Sequence, residues 1–142
     1  MQDEQLTEHL SVRVSRRLLE ELEEEAKRRG EQPTSLARTL IDEALRMRRY
    51  PGIIIRAGAS GRRASIAGRR LDVWQIIETL RQSKDSVEDT ADYLGLRQDQ
   101  VRAAIAYAAD YPDEIEARIR ANAELAERAM EASSRQHAVL GR

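Results

Sequence analysis

His9-Leu10-Ser11-Val12-Arg13-Val14-Ser15 opens the stretch whose reading decides the fold. Leu10, Val12 and Val14 alternate with His9, Ser11 and Arg13, and alternation with a period of two marks a strand with one apolar and one polar face. Ser15 stands where a helix N-cap belongs, ahead of a run from Arg16 to Arg29 rich in the helix formers Leu, Glu, Lys and Arg. Leu18, Leu22 and Ala26 share one stripe of that helix, with Leu19 beside it. Gly30 supplies a helix-ending glycine. Pro33-Thr34-Ser35 then opens a second helix, with Leu36, Leu40 and Ala44 in one row and Ala37, Ile41 and Leu45 in the next.

A strand followed by two helices on this scale lacks the apolar area to offset the entropy of folding alone. Its strand also has no ladder partner. The economical expectation is a two-fold homodimer in which each strand pairs antiparallel with its own copy. The apolar strand faces would then cover four helices. The doubled polar face would make a two-stranded ribbon of the kind the DNA major groove admits.

His9 to Val14, Gly30 and Pro33-Thr34-Ser35 together resemble the ribbon-helix-helix repressors of the MetJ/Arc/CopG type. The resemblance implies that His9, Ser11 and Arg13 read bases and that Thr34 and Ser35 clamp a phosphate. Free backbone N–H groups and the positive dipole end suit a helix N-terminus to an anion. Arg13 leads among the readers, because arginine to guanine is the commonest specific base contact.

Composition bounds the remaining classes. The net charge of −1 leaves no global basic signature, so any nucleic-acid surface must be local. The absence of cysteine excludes disulfides and thiolate chemistry and fits a cytoplasmic protein. His9 and His137 lie too far apart in sequence to suggest a zinc site. No signal peptide and no apolar run of membrane-spanning length is expected. Phenylalanine is absent, so the core must come from Leu, Ile, Val and Ala. No phosphate loop, nucleophile elbow or metal-ligand pair is present. Gly58-Ala59-Ser60-Gly61 lacks the lysine and spacing of a phosphate loop. The carboxylates of Glu20, Glu21 and Glu23 to Glu25 crowd one solvated helix, without a pocket to raise a pKa. The sequence therefore suggests neither an enzyme nor a cofactor.

Residues 1–8 are expected to form a polar arm and 9–49 the first unit. Tyr50-Pro51-Gly52 breaks the second helix, since a residue before proline avoids the helical region. Residues 50–111 follow as a second unit. Ile53 to Arg56 and Arg62 to Ala67 flank a glycine-bearing turn, the pattern of a hairpin. No acidic residue lies between Ala44 and Leu71, whereas Arg46, Arg48, Arg49, Arg56, Arg62, Arg63, Arg69 and Arg70 do. This block could lie along phosphates, keep a hairpin edge soluble or face an acidic partner.

From Asp72 the period becomes helical, with Val73, Ile76, Ile77 and Leu80 on one face and Trp74 beside it. Ser86 to Asp89 resembles a capping box, Gly95-Leu96 makes a turn, and Val101, Ala104, Ile105 and Ala108 line a further helix. That is the grammar of a helix-turn-helix, and a plain three-helix bundle would share it. Arg97, Gln98, Gln100 and Arg102 are the polar residues where such folds touch bases.

A second resemblance spans Ile53 to Ile119. It is carried by Ser65 to Val73, Ser86 to Asp89, Val101 to Tyr107 and Tyr111 to Ile115. These blocks are similar to the small helix-turn-helix antitoxins described as VapB-type or as a domain of unknown function, which carry a glycine-led I-x-G-T-R-I-x-V segment. Arg69 departs from the family threonine, and Gln82-Ser83 lacks the usual glycine after the first helix. The resemblance implies a PIN-like ribonuclease toxin as partner and carries no catalytic residue over.

Residues 112–142 are expected to give a C-terminal helix to about Ser133, about 30 Å long, and a frayed tail. Asp113, Glu114 and Glu116 suit its N-terminal dipole. The expected fold is α+β and mainly helical: a ribbon-helix-helix dimerisation unit, a small β-hairpin and tri-helical domain, and a C-terminal helix. The expected function is operator-binding repression with toxin neutralisation. Its rival is a protein-interaction and dimerisation module without sequence-specific DNA binding. Arg62, Arg63, Arg69, Arg70, Arg97, Gln98, Gln100 and Arg102 form a second surface for DNA or partner, and Ile115, Ile119 and Met130 are apolar anchors for the partner.

Overall fold

The computed structural model describes residues 5–58 and 61–141. The fold is α+β and mainly helical, with six helices and one two-stranded antiparallel hairpin among the described residues. The chain divides into two compact units, Met1–Arg49 and Tyr50–Arg142.

In unit 1, α1 spans Arg16–Arg29 and α2 spans Pro33–Arg49. The Ser15 hydroxyl accepts from the Leu18 N–H at 3.1 Å and satisfies one of the unpaired donors at the start of α1. Gly30 closes α1 at φ 66°, where a side chain would be strained, and its N–H returns to the Ala26 carbonyl. Lys27, Arg28 and Arg29 occupy the last turn, where cations suit the dipole. Pro33 begins α2, where a missing N–H costs nothing.

Residues His9 to Val14 carry no strand in the single chain. A strand needs a ladder, and one chain offers this segment no partner. Leu10 is 70% exposed and Val12 67% exposed. Ala26 and Leu36 are the buried apolar residues of unit 1. Val14, Leu18, Leu19, Leu40, Ile41, Leu45 and Met47 all remain exposed to solvent.

Unit 2 is built differently. β1 (Ile53–Gly58) pairs with β2 (Gly61–Ile66) from Ile53↔Ile66 to Gly58↔Gly61. The ladder thus takes in Ala57, Gly58 and Gly61, expected to lie in the turn, the second strand ends at Ile66 rather than Ala67, and Ala59 and Ser60 lie outside the described residues. Ile53, Ala64 and Ile66 are buried. Against them pack α3 (Val73–Gln82), α4 (Val87–Leu94), α5 (Gln98–Asp110) and the start of α6 (Pro112–Leu140). Val73, Ile76, Ile77 and Leu80 from α3 meet Val101, Ala104 and Tyr107 from α5 and Ile115 from α6 in one closed core. At about 1.5–3 kcal/mol for each fully buried large apolar side chain, this set offsets much of the chain entropy of the unit.

Caps and aromatic contacts fix the order of the helices. Ser86 accepts from the Asp89 N–H at 3.1 Å, and the Thr90 hydroxyl donates back to the Ser86 carbonyl at 2.7 Å. Gly95 ends α4 at φ 65°. Tyr50, Tyr107 and Tyr111 meet ring to ring, with Tyr50 and Tyr107 edge-on at 5.3 Å between centroids. The Tyr50 hydroxyl donates to Asp110 and the Tyr107 hydroxyl to Glu114.

α6 is longer than its sequence suggests. It is helical through Ser133 and Ser134 to Leu140, and its 29 residues extend about 43 Å. Serine is a mediocre helix former but not a breaker, and the next glycine is Gly141.

Candidate functional site

The expected DNA-reading residues of unit 1 are all on the surface. His9, Ser11 and Arg13 are exposed, and the His9 imidazole shares a 2.9 Å hydrogen bond with the Ser11 hydroxyl. Thr34 is exposed and Ser35 half-buried in the first turn of α2, which carries no acidic residue. The Arg38 guanidinium approaches the Ser35 hydroxyl at 3.4 Å, so positive charge stands beside that helix start.

In unit 2 the arginine block breaks up by role. Arg56 and Arg63 face each other directly across the hairpin, where like charges repel. The buried carboxylate of Asp72 answers both. Arg56 donates to it at 3.2 Å, and the Arg63 Nε lies 3.4 Å from its other oxygen. The Ser65 hydroxyl donates to Asp72 at 2.6 Å and the Trp74 indole N–H at 3.2 Å. Burial pushes the Asp72 pKa up, but the Ser65 and Arg56 hydrogen bonds, the Arg63 charge and the Trp74 hydrogen bond outweigh it and hold the carboxyl below its usual range. Sequence reading missed this hub, although Asp72 is the first acid after the long arginine-bearing stretch.

Arg69 is not offered to a ligand. Its guanidinium donates to the Gly95 carbonyl at 2.6 Å and the Leu94 carbonyl at 3.0 Å, capping α4 from outside. Arg62 is half-buried, and its carbonyl accepts from Arg118 at 3.1 Å. Arg70 is exposed.

The helix-turn-helix order is present as α4, Gly95 and α5, but its polar residues are largely engaged with each other. Arg97 pairs with Asp99 at 3.0 Å, Arg102 donates to Gln98 at 3.2 Å, and the Gln100 side chain accepts from the Arg97 N–H at 2.9 Å. Glu88, Asp89 and Asp92 are all exposed along α4. In a DNA-bound helix-turn-helix the first helix crosses the phosphate backbone, and three carboxylates there would repel it.

The apolar anchors expected for a partner divide. Ile115 is buried in the core of unit 2, which removes it from any partner surface, because its side chain already fills the space beside α3 and α5. Ile119 packs half-buried against the same core. Met130 is 71% exposed. Among the described residues no group of His, Cys, Asp or Glu is placed to hold a metal, and no helix is long and apolar enough to cross a membrane.

Unit 2 thus defines a small class of fold, a β-hairpin packed on a compact set of helices. Residues 53–108 match the family model described as a protein of unknown function, DUF433. The match takes in the hairpin, α3, α4 and most of α5 and lies entirely within unit 2. No curated protein and no solved structure matches the chain.

Proposed function

We propose that the chain is a DNA-binding repressor of the antitoxin type, acting by occupancy rather than catalysis. Unit 1 pairs with a second copy through Leu10, Val12 and Val14, and the doubled ribbon sets His9, Ser11 and Arg13 into the major groove of an operator. Thr34 and Ser35 hold flanking phosphates. Unit 2 takes a protein partner, a PIN-like ribonuclease toxin, in the cytoplasm. The observation that carries this reading is the exposure of Leu10, Val12 and Val14, which alternate in sequence with His9, Ser11 and Arg13. An apolar row left in water needs a cover, and antiparallel pairing with its own copy both covers it and completes the ladder.

The test is a gel-shift titration against the DNA upstream of the gene. The logarithm of affinity should fall linearly with the logarithm of salt concentration. Arg13→Ala should leave the protein folded and cost about 1–3 kcal/mol for each bidentate arginine–guanine pair removed. Unchanged affinity in a folded Arg13→Ala protein would reject the assignment of reader.

The acidic α4 and the engaged arginines of unit 2 favour a second reading, an interaction module that dimerises without reading DNA. Salt-insensitive or absent binding to the upstream fragment, with dimerisation intact, would select it.

A further inference from the structure

We infer that β1 of unit 2 is an open sheet edge that pairs antiparallel with β1 of a second copy, centred on Ile55. The register of the hairpin decides which backbone groups are available. The Ala67 N–H donates to the Gly52 carbonyl, whereas the Ile53 N–H turns the other way, to the Tyr50 carbonyl. Opposed residues of an antiparallel ladder alternate between bonded and non-bonded pairs. Ile54, Arg56 and Gly58 therefore bond to Ser65, Arg63 and Gly61 on β2, and Ile53, Ile55 and Ala57 point their N–H and C=O groups away from it.

The two edges of the hairpin are not equivalent. Along β2, the Ile66 N–H reaches the Leu71 carbonyl at 2.9 Å, Ser65 bridges to Asp72, and the Arg62 carbonyl accepts from Arg118. Along β1, the N–H groups of Ile55 and Ala57 and the carbonyls of Ile53, Ile55 and Ala57 carry no hydrogen bond among the described residues. Ile55 is half-buried against the core, where an unpaired backbone group is costly. The edge is also undefended. β1 holds no proline and no lysine. The guanidinium of its Arg56 is drawn back over β2, donating to Ser65 at 3.1 Å and to Asp72 at 3.2 Å. Such an edge accepts an extended strand.

Symmetry and charge select the strand. The outward groups run from Ile53 to Ala57 and centre on Ile55. With Ile55 opposite Ile55 of the second copy, those two residues exchange both bonds, and each Ala57 N–H meets the other copy's Ile53 carbonyl, about four bonds in all. The side chains agree with this register. Ile53 lies across from Ala57 and Ile54 across from Arg56, so no like charges face each other. An axis at Arg56 would oppose two arginines. An axis at Ile54 would set Ala57 against Pro51, which has no N–H to donate. The product is one continuous sheet in the order β2-β1-β1-β2. The new ladder is short, so the pairing is weak and leaves the core of unit 2 as one chain builds it.

Cysteine cross-linking of the full chain tests this, because the chain has no cysteine of its own. Bonded residues of an antiparallel pair stand about 5.5 Å apart at Cα, within disulfide reach. Under mild oxidation Ile55→Cys should therefore give a covalent dimer on non-reducing electrophoresis. Ala57 is more exposed, yet it faces Ile53 rather than its own copy, so Ala57→Cys should link at least about tenfold more slowly. Adding Ala57→Pro to Ile55→Cys should remove the cross-link. The Ala57 N–H takes no part in the β1–β2 ladder, so this proline leaves the hairpin in place, and circular dichroism should show no change. Hydrogen exchange reads the same edge in the unaltered protein. The Ile55 and Ala57 amides should exchange more slowly as concentration rises, while those of Ile54 and Arg56 stay constant. Exchange at Ile55 and Ala57 that ignores concentration would overturn the inference, as would a folded Ile55→Cys protein that gives no covalent dimer; either result leaves the edge to a strand of another origin. Ala57→Cys linking as fast as Ile55→Cys would overturn it too, since chance collision favours the more exposed thiol. So would a cross-link that survives Ala57→Pro.

Discussion

Unit 1 and unit 2 dispose of their apolar side chains in opposite ways. Unit 2 closes a core from β1, β2, α3, α4, α5 and the start of α6, with Val73, Ile76, Val101, Ala104 and Tyr107 fully buried. Unit 1 buries Ala26 and Leu36 and leaves Leu10, Val12, Leu40, Ile41 and Leu45 in water. Both units use the same helix grammar of serine caps and glycine stops. What differs is where the apolar surface ends up, and it teaches which unit is complete in one chain. Unit 2 should unfold as a monomeric core does, while unit 1 should gain most of its stability from a second chain.

The largest expected effect lies in the closed core. Tyr107→Ala removes a fully buried ring that packs on Tyr50 and Tyr111, and should destabilise unit 2 by about 3–5 kcal/mol. The effect should be the same at every protein concentration, as read by denaturant unfolding. A destabilisation that shrinks as concentration rises would mean that unit 2 also depends on a partner for its core.

Leu40→Ala asks the complementary question of unit 1. In a single chain Leu40 is partly exposed, so truncation there should cost well under the buried value. In a dimer that pairs through unit 1 it should cost about 2–5 kcal/mol. The unfolding midpoint of unit 1 should also rise with concentration, because pairing and folding are one event. A small cost with a concentration-independent midpoint would break the contrast between the units.

Much of this contrast is legible in the sequence, and the parts that are not share a cause. Ser15, Gly30, Ser86 and Gly95 mark helix ends where the structure places them, because caps are local chemistry. The alternation from His9 to Val14 has the period of a strand, but a strand needs a ladder and the single chain supplies none there. In the sequence Asp72 looks like no more than the residue at which the helical period begins, just ahead of α3. Its role appears only once the hairpin register brings Arg56, Arg63 and Ser65 beside it. Ile115 has the spacing of a free helix stripe, and only the packing of α6 on α3 and α5 makes it core. The reach of α6 to Leu140 is hidden by a serine pair that weakens a helix without ending it.

Asp72 sharpens the comparison through pH. Its carboxyl is held below the usual range in the folded state, so its contribution is fully present above the unfolded carboxylate range. That contribution is lost as pH falls through the unfolded value towards the lowered folded one. Unit 2 should therefore lose stability on acidification, and Asp72→Asn should remove that part of the pH dependence. The variant should cost about 2–3 kcal/mol at neutral pH, below the value for a fully buried pair because both arginines are part-exposed. Thermal melts of the two proteins across the acid range check this. Parallel pH profiles would show that Asp72 is not the group responsible.

The smallest effect concerns the turns that join helices. Unit 1 turns from α1 to α2 at Gly30, whose φ of 66° suits a residue without a side chain. Unit 2 turns from α3 to α4 through Lys84 at φ 54° and Asp85 at φ 63°, two successive left-handed residues that both carry side chains. A left-handed residue other than glycine costs about 1–2 kcal/mol, and glycine loses about 0.5–1 kcal/mol in chain entropy on folding, so the two nearly offset. Lys84→Gly should therefore stabilise unit 2 by about 0.5 kcal/mol, and Gly30→Ala should destabilise unit 1 by a similar amount. The lysine is exposed, so no packing goes with it. Denaturant midpoints resolve shifts of this size if the slope is unchanged. A destabilised Lys84→Gly protein would mean that the lysine side chain makes an interaction worth more than the strain of its backbone.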